Sequence, residues 1–170
     1  MRVPAQQCLR VYRARRLRCG FSLIELLIVV AIILVIAAIA IPNFLRARIT
    51  ANEAAAIGNL RNITTANVVY STTYNIGYAA LLADLGGTGA LGPNSSQLLD
   101  VILTSGAKNG YMYTYVAGPV NAVGIIDSYV INADPISPGT TGQRYFFMDA
   151  SGLIRTSSTA QATVTSAPIQ

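Results

Sequence analysis

The sequence predicts an α+β fold: a long N-terminal helix, half membrane-spanning and half amphipathic, with a small antiparallel sheet packed on its C-terminal half. Three observations predict it. Leu26 to Ile41 is an unbroken apolar run behind a dense block of arginines. A helical stripe of apolar residues resumes after Pro42. Beyond residue 110, short alternating runs rich in Tyr, Val, Ile and Phe are separated by Gly and Pro turns.

The 170 residues carry twelve Lys+Arg against seven Asp+Glu, a formal +5, with no His and no Trp. Position explains the excess. Arg2, Arg10, Arg13, Arg15, Arg16 and Arg18 all precede residue 20, and no acid lies among them. From residue 21 onward six bases face seven acids, a net of −1. The positive charge belongs to a leader over residues 1–20, so the basic balance gives no case for nucleic-acid binding. Cys8 and Cys19 also fall in that leader, leaving the rest without a thiol.

Counted from Phe21 to Ile41, the apolar segment has 21 residues. As helix that is roughly 30 Å, the thickness of a hydrocarbon core. Six arginines before it, and only Arg46 and Arg48 close behind, place the N-terminus in the cytoplasm and the C-terminal part outside. A secretory signal peptide cut after Ala38-Ile39-Ala40 competes with this reading, and so does an uncut signal anchor. Glu25 bears on the choice. A charge within such a span costs on the order of 2.5–3.5 kcal/mol at mid-membrane, less near an edge, so this acid calls for a cationic partner. A free amino group created at Phe21 by proteolysis would be the nearest one.

Gly20-Phe21-Ser22-Leu23-Ile24-Glu25-Leu26-Leu27, after a basic leader and before an apolar run ending at Pro42, resembles the prepilin signal of type IV pilins and type II secretion pseudopilins. The resemblance implies a membrane prepilin peptidase that cuts between Gly20 and Phe21 and methylates the Phe21 amine. It implies that Glu25 pairs with the amino terminus of a neighbouring subunit and sets register during assembly, and that Pro42 marks a helix bend. Cys19 stands where the family commonly has Lys, Arg or Gln, and Leu34 where it often has Gly eight residues ahead of the Pro. Without that Gly, which weakens a helix by about 1 kcal/mol, the segment before Pro42 resists melting.

After Pro42, Leu45, Ile49, Ala56, Leu60, Ile63, Tyr70 and Tyr74 share one side of a helical wheel, interrupted by Asn52, Glu53 and Asn67. Asn75-Ile76-Gly77 should end the helix. Residues 77–110 read as loop with one short helix, Ser95 to Leu103, capped by Ser95 or Ser96. Strands are expected over Tyr111–Val116, Ile125–Ile131, Arg144–Asp149 and Gly152–Thr156, the last two joined by a tight Asp149–Gly152 turn. Gly118-Pro119 and Asp134 to Gly139 read as turns, and the Ser/Thr/Ala-rich tail from Thr156 as ragged. The domain organisation is then a leader (1–20), a membrane or filament-core helix (21–42), and a helix continuation with a C-terminal sheet domain (43–170). The ladle outline of the whole follows from the resemblance.

Gly87-Thr-Gly89-Ala-Leu-Gly92 formally matches a dinucleotide loop, but no strand precedes it and Pro93 follows, so it reads as loop. The acids are scattered singly, without the spacing of a calcium loop. The resemblance leaves Asp127 and Asp134 as a calcium possibility. Asn62-Ile-Thr64 and Asn94-Ser-Ser96 fit the glycosylation triplet. Without His or a thiol past the leader, the common nucleophile–base pairs are excluded, and neither an enzyme, a cofactor nor a metal is expected.

The expected function is a structural subunit of a type IV pilus-like filament. Its partners would be copies of itself and related pilins, the prepilin peptidase, an assembly platform and, before assembly, the bacterial inner membrane. The alternatives are a type II secretion pseudopilin in a periplasmic pseudopilus and an exported soluble binding module.

Overall fold

The computed structural model describes residues 21–169. The leader and Gly20 lie outside the described residues. A helix, α1 (Leu23–Tyr74), contains Pro42 within its span. The described chain falls into two units, 21–40 and 41–169.

In the first unit every described residue except Ala37 is exposed. The helix starts from Ser22, whose carbonyl accepts from the Glu25 and Leu26 amides at 3.1 and 3.2 Å. Leu, Ile, Val and Ala then sustain it with no turn residue to interrupt, and a window of it reaches a mean hydropathy of 3.3.

In the second unit α1 buries one face: Glu53, Ala56, Asn59, Leu60, Ile63, Ala66, Asn67 and Tyr70. The steps of three and four residues keep these side chains on one stripe. Leu45, expected on that stripe, is exposed, and Ile49 is half-buried. The helix ends as expected: Asn75 and Gly77 both take positive φ, 55° and 84°. Gly77 is required there, because a Cβ would collide with the Ile126 backbone, and the next amide, Tyr78, donates to the Ile126 carbonyl at 2.8 Å.

The sheet is a six-stranded antiparallel meander in sequence order: β1 (Ala107–Lys108), β2 (Tyr111–Ala117), β3 (Tyr129–Pro135), β4 (Tyr145–Asp149), β5 (Ile154–Ser157) and β6 (Ala167–Pro168). Its inner face sets Tyr113 opposite Ala133 opposite Phe146, and Tyr115 opposite Ile131 opposite Met148 opposite Ile154. Large residues meet small ones across the first row, and together with Leu60, Ile63 and Tyr70 they make the core.

Four expectations need correction. β3 runs over 129–135, not 125–131: Ile126 is held in isolated bridges to Gly77 and Val120 instead. Asp134 and Pro135 end that strand rather than turning away from it. Pairing with β4 stops at Ala133, so the missing proline N–H leaves no ladder bond unmade. The short helix, α2, covers only Val101–Thr104 and is capped by Asp100, whose carboxylate accepts from the Ile102 amide at 3.1 Å. Residues 96–99 cannot join it, because their amides are spent on Asp84, Leu85 and Gly86 in and beside a 3-10 turn at Leu82–Leu85.

The tail is the fourth correction, for it is tied down. Asn132 Nδ2 donates to the Ala162 carbonyl at 2.8 Å, Gln161 Nε2 to Asp134 at 2.8 Å, and Arg155 Nη1 to the Ser166 carbonyl at 3.0 Å. These residues alternate onto the outer face of the sheet, where the strap buries Phe147 and Ala162.

Candidate assembly site

The sequence singles out Phe21, Glu25 and Pro42 with the apolar helix between them. Phe21 is 72% exposed, and Glu25 is exposed in the first turn of α1. A carboxylate there is favoured by the unpaired amides of the helix start. Among the described residues no ion pair engages it. Ser22 and Glu25 stand three apart, the spacing of a helix-start signature, so Ser22 within the motif also marks where the helix begins.

Between Leu23 and Ile41, fourteen Leu, Ile and Val side chains are exposed. Fully burying such a side chain contributes about 1.5–3 kcal/mol, and these are a little over half exposed, so this surface stands to gain on the order of 10–25 kcal/mol from lipid or from a protein partner. Nothing in its own unit covers it. The chemistry on offer is association: an apolar rod with one acid near its start.

The second unit answers the polar side chains on the buried face of α1. Glu53 Oε1 accepts from the Gln143 and Arg144 amides at 2.9 and 3.2 Å, and Oε2 accepts from Arg144 Nε at 2.7 Å. Asn52 Nδ2 donates to the Thr141 carbonyl at 2.8 Å, and Asn59 Nδ2 to the Tyr113 hydroxyl at 2.8 Å. Asn67 Oδ1 accepts from the Ala79 amide at 3.2 Å and lies 3.2 Å from the Tyr115 hydroxyl. The polar residues on this face are thus a ladder of ties from the helix to the sheet and to the loops beside it. Spacing hinted at it: 52, 53, 59 and 67 fall on the buried side. Burial pushes the Tyr113 and Tyr115 phenols above their ordinary range, so these hydroxyls stay protonated.

The other motifs do not form a common site among the described residues. Residues 87–92 are irregular, Asp127 and Asp134 do not converge, and no cluster of metal-ligating side chains occurs among the described residues. Asn62 and Asn94 are both exposed.

Comparison with known proteins bears on this geometry. Residues 15–41 match the family described as the prokaryotic N-terminal methylation motif. The chain is similar to the type IV major pilin protein PilA of Myxococcus xanthus, 48% identical over 58 residues that make 34% of this chain and 26% of that one. It is also similar to the type IV wide pilus major component PilA4 of Thermus thermophilus, 42% identical over 67 residues, 38% of this chain and 51% of the other. The chain therefore spans about a quarter and about half of these curated relatives. No solved structure matches it.

Proposed function

We propose that this chain, which carries the methylation motif and is related to type IV pilins, is a subunit of a type IV pilus-like extracellular filament, not an enzyme. Its precursor waits in the inner membrane with the leader in the cytoplasm, is cut between Gly20 and Phe21 by a prepilin peptidase, and is methylated on the Phe21 amine. An assembly platform then draws it into a bundle of like helices. The observation that carries this reading is the methylation motif at 15–41 leading into an apolar helix that its own unit leaves exposed.

The mechanism is a change of solvent. Fourteen apolar side chains leave lipid for neighbouring helices, a transfer near neutral in hydrophobic terms, so close packing must add to it. Glu25 supplies direction: an ion pair with the Phe21 ammonium of the next copy is strong where water is excluded and absent in any other axial register. Pro42 supplies a helix bend, since a proline inside a helix removes one backbone bond. Both relatives are named as pilus components, which favours a surface pilus over a periplasmic pseudopilus.

The test combines mass spectrometry of the exported subunit with Glu25→Ala. The expected product begins at a methylated Phe21, and the variant yields few or no filaments. An exported form that begins at residue 41 overturns the reading, and filaments of normal number and length from Glu25→Ala overturn the register role of Glu25.

A further inference from the structure

We propose that copies of this chain also dock head to tail through their folded units, the Phe44–Arg48 foot of one seating in a socket at the far end of another. The proposal rests on the filament reading above and adds the contact between folded units.

The second unit has two ends of unlike character. Glu53 of α1 binds Gln143 and Arg144, just before β4, and β4 then runs alongside the helix until Met148 lies 3.4 Å from the Thr64 hydroxyl. Past the helix end, Gly77 bridges Ile126. Residues 44–48 therefore lie at the near end, while the 119–128 loop and the Asp149–Gly152 turn lie at the far one.

The near end carries Phe44, 67% exposed, with Arg46 and Arg48, both exposed. The ion pairs among the described residues are Lys108 with Asp100 and Arg144 with Glu53, so neither of these arginines is matched there. The far end holds an open cavity of about 430 Å³, lined on its apolar side by Val116, Ala117, Tyr129, Val130 and Ala150. That is room for an aromatic ring. Asp149 stands on its rim, and Asp127 is exposed in the adjoining loop. One end thus offers an aromatic knob with two cations, and the other an apolar socket with two anions. Because the surfaces differ and sit at opposite ends, the contact is heterologous and does not close on a dimer. It propagates. Exposed charges act over only about 8–10 Å at physiological salt, so the pairs require the knob to be seated.

Residues 21–170 contain no cysteine, which makes introduced thiols clean reporters. Sheared filaments of the Phe44→Cys, Val116→Cys double variant are oxidised and run on a non-reducing gel. The expected result is a ladder of dimers, trimers and longer species, with each single variant monomeric and a co-assembled mixture of the singles stopping at dimers. Filaments of the double variant that stay monomeric on the gel overturn the docking while leaving the filament intact. Should the double variant not assemble, charge reversal decides. Arg46→Asp is expected to cut filament yield roughly tenfold, and Asp127→Arg in the same chain to restore most of it. No restoration, with an unchanged circular dichroism spectrum, overturns the socket. Failure of the unmodified chain to form filaments overturns the filament reading and the socket with it.

Discussion

One helix meets two fates. Over 21–40 it is apolar on every side and exposed, with a single acid that no described residue pairs. Over 41–74 it is apolar on one stripe, buried against a sheet, with the polar residues of that buried stripe tied to partners in the same chain. The difference is where the partner comes from. A face whose polar groups are all answered within the unit is a folding surface. A rod that is apolar all round, with an unanswered charge, is built to be covered by lipid or by another molecule.

The same substitution in the two halves should separate these roles most sharply. Leu60 is fully buried in the core, and Leu60→Ala is expected to cost about 2–5 kcal/mol through lost transfer and a residual cavity. Leu34 is 63% exposed, and Leu34→Ala should move the folded unit's stability by less than about 0.5 kcal/mol. Thermal unfolding of the full chain in detergent, followed by circular dichroism, measures both. Equal losses would erase the distinction between the halves.

The acids make a finer comparison. Glu53→Ala strands the Gln143 and Arg144 amides that the carboxylate now satisfies. Arg144, whose side chain is 43% exposed, can regain water, which limits the expected loss to about 2–3 kcal/mol. Glu25→Ala, the variant proposed to block assembly, should leave the unfolding midpoint where it was. A large shift from the Glu25 variant would mean that the first unit is stabilised by the second.

What the sequence disclosed follows the same line. Features set by neighbours along the chain were legible: the helix stop at Asn75–Gly77, the β4–β5 turn with Gly152 at φ 76°, and the alternation of β2. So was the methylation motif, a local pattern by nature. Features set by distant partners were not. Asn52, Glu53 and Asn67 read as flaws in a stripe because their partners lie 12 or more residues away, at Thr141, Gln143 and Ala79. The Ser95–Leu103 pattern looked helical until the 82–86 segment claimed its amides. The tail read as ragged because nothing local holds it. Asn132 and Arg155 do, from across the sheet.

The smallest expected effect tests that tail. Asp134 lies on the outer face, where Oδ2 accepts from Gln161 of the strap and Oδ1 is buried without a partner among the described residues. Burial raises its pKa above the ordinary 3.8, partly offset by the Gln161 bond. The sign follows from proton counting. As pH rises just past 3.8 the unfolded chain releases this proton first, so the folded unit loses stability until Asp134 itself ionises. Asp134→Asn keeps an acceptor for Gln161 and removes the buried charge. The variant should match the parent in unfolding midpoint near pH 3 and exceed it slightly at pH 7. A variant less stable than the parent at pH 7 would mean that the carboxylate's charge holds the strap down, as the Glu53 carboxylate holds the 143–144 segment.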